Sequence, residues 1–273
     1  MEQKVILITG ASSGIGYDTA VALASQGHKV YAAARRLDRM EPLKEKGITP
    51  VRLDVTDEAS VAECVRCIIE AESRIDVLVN NAGYGYLGAI ENVPMDEARR
   101  QLDVNLFGLA RLTQLVLPYM RGQHSGRIIN ISSVAGKAVI LFGGWYNVSK
   151  YAVEAFSDAL RMETKPFGIK VSIIEPSGIK TDWGLIAADN LEKSSHGSAY
   201  EADGKKMSRM LRWAYTSKIL SPPQRVTSAI VRAVNARRPR IRYRAGMGAT
   251  AMIASHAILP ARWWDNIVAR LIG

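Results

Sequence analysis

Tyr146 and Lys150 are the pair in this chain best suited to chemistry. They are four residues apart, so on a helix they share one face, a turn from each other. A phenol beside an ammonium can give or take a proton. The cation favours the phenolate, so the expected effect is a lowered phenol pKa. Tyr-x-x-x-Lys also occurs on ordinary surface helices, and the pair gains meaning only from the residues around it.

A second chemical feature lies near the start. Gly10, Gly14 and Gly16 punctuate a turn that follows an apolar run, Val5 to Thr9, and precedes a helical stretch to about Ser25. Glycines let backbone approach a pyrophosphate closely, and a helix N-terminus offers free N–H groups and a positive dipole end. The next strand, Lys29 to Ala34, is followed by Arg35 and Arg36 where an NAD-binding protein usually carries an acidic residue. Arginines there suit a 2′-phosphate, so NADP(H) is the expected cofactor.

These residues need a frame. Apolar strands at 4–9, 29–34, 49–53, 76–80, 126–132 and 169–175 alternate with helices at 57–73, about Met95 to Tyr119, and about 145–167. Continuous apolar strands alternating with helices predict an α/β protein built on one doubly wound parallel sheet. In such a sheet ligands sit beyond the carboxyl ends of the strands, where Gly10, Arg35, Asp54, Asn80, Ser133 and Pro176 all fall.

Composition fits this frame: 273 residues, 48% hydrophobic and 23% charged. The two cysteines, Cys64 and Cys67, lie inside a predicted helix rather than at a strand-to-helix turn, so neither redox chemistry nor a metal is expected. The start shows no basic leader and no long apolar region, and no stretch has the length of a membrane span, so the cytoplasm is the expected compartment. The formal net charge of +10 is uneven: residues 205–273 hold 14 Lys and Arg against one acidic residue, Asp265, a net +13, leaving −3 for residues 1–204.

With these motifs in hand, the chain over residues 4–182 resembles the short-chain dehydrogenase/reductase family. Thr9-Gly10-x-x-x-Gly14-Ile15-Gly16 is similar to the family's cofactor signature, and Asn80-Asn81-Ala82-Gly83 to the motif that steadies its central sheet. Asn105, Ser133, Tyr146 and Lys150 match its catalytic tetrad, and Pro176-Ser-Gly178 with Thr181 resembles its nicotinamide segment. The resemblance implies a single Rossmann-type domain of about seven strands with a C-terminal helical extension. It implies hydride transfer between NADP(H) and a carbonyl or alcohol, with Tyr146 as general acid or base. Lys150 depresses the phenol's pKa, Ser133 holds the substrate oxygen, and Asn105 positions a water that relays protons to Lys150. Cofactor contacts are expected from Gly10, Ser12, Ser13, Gly14, Ile15, Gly16, Arg35, Arg36, Asp54, Val55, Asn81, Ala82 and Gly83. Tyr146, Lys150, Pro176, Gly178, Ile179 and Thr181 complete that set.

Val30 to Arg35, Tyr84-Gly85, Asn92-Val93-Pro94 and Pro222-Pro223 resemble the branch of 17β-hydroxysteroid and retinol dehydrogenases, which implies a bulky apolar substrate. Two other functions stay open: a 3-oxoacyl reductase acting on a carrier-bound substrate, and a non-catalytic NADPH-binding sensor. A homodimer or homotetramer is also implied.

Residues 183–218 show no strong periodicity before about 205 and predict a mobile substrate lid, with Trp183, Leu185, Ile186, Trp213 and Tyr215 as apolar surface. The loop at 139–144 supplies the facing wall. A helix is expected at about 223–237 and a short seventh strand at 237–244, beside a basic patch. Without a helix-turn-helix pattern, nucleic acid is not an expected partner. Trp264, Ile267, Val268 and Leu271 share one face of a terminal helix, with Arg262, Asp265, Asn266 and Arg270 opposite. Two readings of this tail compete: packing on the pocket or a partner subunit, and peripheral contact with anionic lipid.

Overall fold

The computed structural model describes residues 2–270. Its centre is a seven-stranded, all-parallel sheet in the order β3-β2-β1-β4-β5-β6-β7. The strands are β1 (Val5–Thr9), β2 (Lys29–Ala34), β3 (Thr49–Arg52), β4 (Val77–Asn80), β5 (Gly126–Ile131), β6 (Ile169–Ser177) and β7 (Arg242–Gly246). The chain moves outward from β1 to β3, then returns to β4 on the other side of β1. That reversal opens a crevice at the carboxyl ends of β1 and β4.

Why the strands read as unbroken apolar runs is visible in β1. Ile6 and Ile8 face one layer, with α1 (Gly14–Ala24) and α8 (Gln224–Asn235); Val5 and Leu7 face the other, with α2 (Glu58–Glu72) and α4 (Gly108–Gly122). Both faces are covered, so alternation cannot mark an outer side. Each fully buried side chain of this size contributes about 2 kcal/mol to that packing.

Four segments differ from the sequence reading. The helix expected from Met95 to Tyr119 is α3 (Met95–Leu102), one π turn (Asp103–Phe107) and then α4. The break occurs where Gly108 packs on Val55: a Cβ at 108 would lie 2.5 Å from the Val55 carbonyl oxygen. The lid region is a helical hairpin, α6 (Trp183–Ser195) and α7 (Glu201–Thr216). Its seam is made of small residues. Gly184 faces the Tyr215 ring, Gly204 faces Ser195, and the Ser208 hydroxyl donates to the Ala188 carbonyl. A seam of glycine and serine carries little hydrophobic signal, and the sequence therefore reads as irregular.

The seventh strand begins at Arg242 rather than 237. The preceding residues instead accept side-chain bonds through their carbonyls, from Lys170 to Arg237 and from Ser172 to Arg240. Two terminal helices follow, α9 (Ala249–Ile258) and α10 (Ala261–Arg270). Trp264 turns inward, its indole N–H donating to the Val139 carbonyl, whereas Ile267 stays exposed, so the expected apolar face is divided. Leu271 lies outside the described residues. Among the described residues no helix is long and apolar enough to cross a membrane. Both cysteines are free in α2, Cys64 buried and Cys67 exposed.

Candidate active site

The glycine-rich turn leads from β1 into α1, and two asparagines hold it. Asn80 donates to Thr113 on α4 and Asn130 on β5, tying the sheet together. Asn81 donates to the carbonyls of Thr9 and Gly10, while the Thr9 hydroxyl accepts from the backbone of Asn81 and Ala82. Gly10 has φ +66°, and a Cβ there would lie 2.9 Å from the Ala82 Cα, so only glycine lets the two turns touch. Asn81 thus sits behind the turn and shapes it. At the N-terminus of α1 no side chain caps the free N–H groups and no acidic residue enters the first turn, which leaves them available to an anion.

Beyond these turns lies a cavity of about 480 Å³. It collects Gly10, Ser12, Ser13, Arg35, Arg36, Asp54, Val55, Ala82 and Gly83 from the expected cofactor contacts. Arg36 donates to the Ser12 hydroxyl at 3.2 Å, placing guanidinium and hydroxyl together at the end of β2. Burial works to raise the Asp54 carboxyl, but hydrogen bonds from Thr56 and the nearby Arg35 and Arg100 outweigh it and hold its pKa low. A dinucleotide fits this donor set, with glycine backbone for its pyrophosphate, Asp54 for a polar adenosine edge and arginines for a 2′-phosphate.

Other expected contacts lie elsewhere. Ile15 and Ile179 pack into the core layer of α1 and α8. Thr181 lies across from Gly14, whose absent Cβ would be 3.7 Å from the threonine methyl. Pro176 accepts a long 3.5 Å contact from the Ser133 hydroxyl, and Gly178 accepts from the Ser221 N–H at the neck of the lid hairpin. The cavity also includes Glu97 and Arg100 on α3, Val104 on the π turn, and Asn190 and Lys193 on α6, which the sequence did not single out. Lys193 and Asn190 were hidden because α6 was not legible as a helix. Arg100 could have been found from the polar face of α3.

The tetrad residues gather beside this cavity. Tyr146 and Lys150 lie on α5 (Gly144–Thr164), both buried, and Ser133 caps the short 3-10 turn Val134–Gly136, its hydroxyl accepting from the Ala135 N–H. The Lys150 ammonium donates to the Ile131 carbonyl at 2.9 Å and lies 5.8 Å from the Tyr146 ring centroid. Burial pushes the phenol up to about 12, with the Ser133 hydrogen bond pulling the other way. Burial pushes the lysine down to about 8, against an upward pull from Glu154. The expected lowering of the phenol is therefore corrected: the ammonium is engaged with backbone, and the cost of burying a phenolate dominates.

Asn105 sits on the π turn, a geometry common at functional sites. Its amide is engaged with both backbone groups of Tyr84 and with the Ser149 hydroxyl. A Cβ on Gly83 would lie 3.1 Å from its Oδ1 and 3.7 Å from the lysine Nζ, so Gly83 keeps the space between Asn105 and Lys150 open. The α6–α7 hairpin lies against the phenol. The Trp183 ring is 5.1 Å from the Tyr146 ring, centroid to centroid, and Tyr215 backs Trp183 at 6.3 Å. Leu87, Phe142, Ala187 and Leu191 belong with Tyr146 to one buried apolar cluster.

Comparison with known proteins identifies the family. The short chain dehydrogenase family model matches residues 4–189, and the chain belongs to that family of oxidoreductases. It is 37% identical to a probable short-chain type dehydrogenase/reductase, VdlC, of Helicobacter pylori, over 96% of this chain and 95% of that protein. It is 44% identical to 3-ketodihydrosphingosine reductase of Bacteroides thetaiotaomicron over 66% of each, and 34% identical to human retinol dehydrogenase 8 over 88% of this chain and 80% of that protein. Among solved structures, a Streptomyces avermitilis short-chain dehydrogenase superposes with TM-score 0.81 at 31% identity, covering 99% of this chain and 95% of that one. A serine dehydrogenase solved with NADP+ gives 0.76 at 27% identity, covering 89% and 94%. A Burkholderia phymatum enzyme solved with NAD gives 0.79 at 26%, covering 94% and 92%.

Proposed function

We propose that this oxidoreductase reduces a ketone or aldehyde on a bulky apolar substrate, with NADPH as hydride donor. The observation that carries this reading is a buried phenol set in an apolar cluster: Tyr146 packs on Trp183 and shares one buried cluster with Leu87, Phe142, Ala187 and Leu191. A phenol held near 12 carries its proton throughout the physiological range, the state a general acid needs.

Gly10, Ser12 and Arg36 would hold the dinucleotide, whose nicotinamide would supply the hydride. Tyr146 gives its proton to the oxygen as negative charge develops there. Ser133, next to the phenol, donates a hydrogen bond to the same oxygen, and the Lys150 cation compensates the phenolate left behind. The apolar ring excludes water, which strengthens each of these interactions.

Four further parts of the reading rest on narrower support. Arg35 and Arg36 beside Ser12 favour NADP(H) over NAD(H), since a 2′-phosphate would pair with them. The curated relatives named for a ketosphingoid and for retinol favour a lipid-like substrate. Exposed Val148, Tyr151 and Met162 on α5, with exposed Phe107 on the π turn that packs on that helix, favour a homodimer or homotetramer. The C-terminal tail adds peripheral contact with anionic lipid, supported by exposed Trp263, Ile258 and Ile267 among basic residues.

The deciding experiment follows NADPH consumption, with NADH in parallel, over steroid, retinoid, aliphatic, sphingoid and carrier-bound 3-oxoacyl carbonyls. Turnover should favour NADPH and an apolar carbonyl, and Tyr146→Phe should reduce it by about 100-fold or more. Turnover that survives this substitution would remove Tyr146 from the reaction. Tight NADPH binding with no turnover on any carbonyl would favour a sensor.

A further inference from the structure

Tyr146 and Lys150 are not the end of their row. Glu154 and Asp158 follow at the same four-residue spacing on α5, so a phenol, an ammonium and two carboxylates share one helical face. Glu154 is only 3% exposed. Its Oε2 accepts from Arg242 Nε at 3.1 Å and Nη2 at 3.0 Å, and pairs with Lys137 Nζ at 3.1 Å. Its Oε1 is buried without a hydrogen-bond partner. Arg242 also reaches Asp158 at 2.6 Å and the fully buried Glu175 at 3.3 Å, and Arg244 pairs with the second oxygen of Glu175. The 3-10 turn packs closely on this part of α5: a Cβ on Gly136 would lie 2.9 Å from the Lys150 carbonyl and 3.0 Å from the Glu154 Cγ.

A buried carboxylate with one unpaired oxygen is costly, and anchoring the edge strand β7 does not require it. Asp158, more exposed, already binds Arg242. What Glu154 adds is a negative charge one turn from Lys150. We propose that Glu154 is a positioning residue for the reaction: its carboxylate, fixed by Arg242 and Lys137, keeps the Lys150 ammonium protonated beside Tyr146. The inference rests on the reductase reading for its link to turnover.

The surroundings of the pair are defined. The π turn contributes Asn105, β5 the Ile131 carbonyl, the 3-10 turn Ser133 and Lys137, β6 Glu175, and β7 Arg242 and Arg244. Asp96, Glu97, Arg99 and Arg100 on α3 and Lys165 beyond α5 also belong to segments packed on that helix. Glu154, one turn along α5, acts to raise the lysine's pKa against burial.

Glu154→Gln keeps the shape and removes the charge, so Lys150 loses its proton at lower pH. The basic limb of kcat/KM against pH, and of NADPH affinity against pH, should move down by about one pH unit. Glu154→Asp keeps the charge and should restore most of the position of that limb. Lys137→Met removes a cation beside the carboxylate and should move the limb the other way, to higher pH. The Lys137 variant also serves if Glu154→Gln does not fold. Basic limbs unmoved in both variants, with changes confined to melting temperature, would overturn the proposal and leave Glu154 as an anchor of β7. Absence of turnover in the unmodified protein would instead count against the reductase reading, and the NADPH-affinity profile would still decide the role of Glu154.

Discussion

Burial acts on two side chains of the tetrad in opposite senses. It raises the Tyr146 phenol and lowers the Lys150 ammonium, because in each case it disfavours the charged form. The pair therefore rests as a neutral acid beside a weakened cation. The cofactor cavity is different, since its charges lie near the surface and face an open crevice. Arg35 and Arg36 are both exposed at the end of β2. Replacing both with alanine should weaken NADPH binding by about 2–3 kcal/mol, the range of charge-assisted hydrogen bonds. NADH binding should stay within about twofold, because it has no 2′-phosphate to lose. Fluorescence titration with both cofactors checks this, and an equal loss for both would mean the arginines do not read that phosphate. At this scale much was legible. The spacing of Tyr146 and Lys150, the glycines of the first turn and the two arginines all carry chemistry in their types. Glu154 did not stand out, because a glutamate on a helix reads as solvated until β7 is seen to bury it.

The elements that frame the site differ in how openly the sequence announces them. Strands β1, β2, β4, β5 and β6 are largely apolar runs and their bounds fall within about two residues of the expected ones, whereas β7 is short and basic and starts later than expected. The lid was illegible for a definite reason: α6 and α7 meet through Gly184, Gly204, Ser195 and Ser208, residues that mark no hydrophobic period. Close contact through glycine makes the hairpin sensitive to added volume. A Cβ at Gly184 would lie 2.3 Å from the Tyr215 ring, and Tyr215 in turn backs Trp183 over Tyr146. Gly184→Ala gains about 1 kcal/mol of helix propensity. Overpacking at such a contact costs about 1–3 kcal/mol. The net result should be a melting temperature lower by about 2–4 °C per kcal/mol lost. The same change should raise KM for the apolar carbonyl, since the lid no longer seats against the phenol. A variant with unchanged melting and KM would show that α7 yields freely and that the seam does not position Trp183.

Over the whole molecule, the charge asymmetry has two components that the sequence presents as one. Part of the basic C-terminal quarter is consumed inside the fold: Arg242 pairs with Glu154, Asp158 and Glu175, and Arg244 with Glu175. The rest stays outside, and Arg262 and Arg270 on α10 flank exposed Trp263 and Ile267. Trp264 packs inward against His256 and Val139, which docks the helix on the wall facing the lid and leaves its outer side uncovered by the described chain. An aromatic and apolar face with basic flanks suits the headgroup region of an anionic membrane, where a lipid-like substrate would also reside. Vesicles of phosphatidylcholine with about one third phosphatidylserine should carry the protein upward in a density gradient at low salt. Salt near 1 M, with a Debye length of about 3 Å, should release it. Trp263→Ser should weaken flotation without altering the melting temperature, because that ring is 65% exposed. Protein that stays in the soluble fraction at low salt would sink the membrane reading and leave the outer side of α10 to a second subunit. Cross-linking between copies of the chain at Trp263 would then be the expected result.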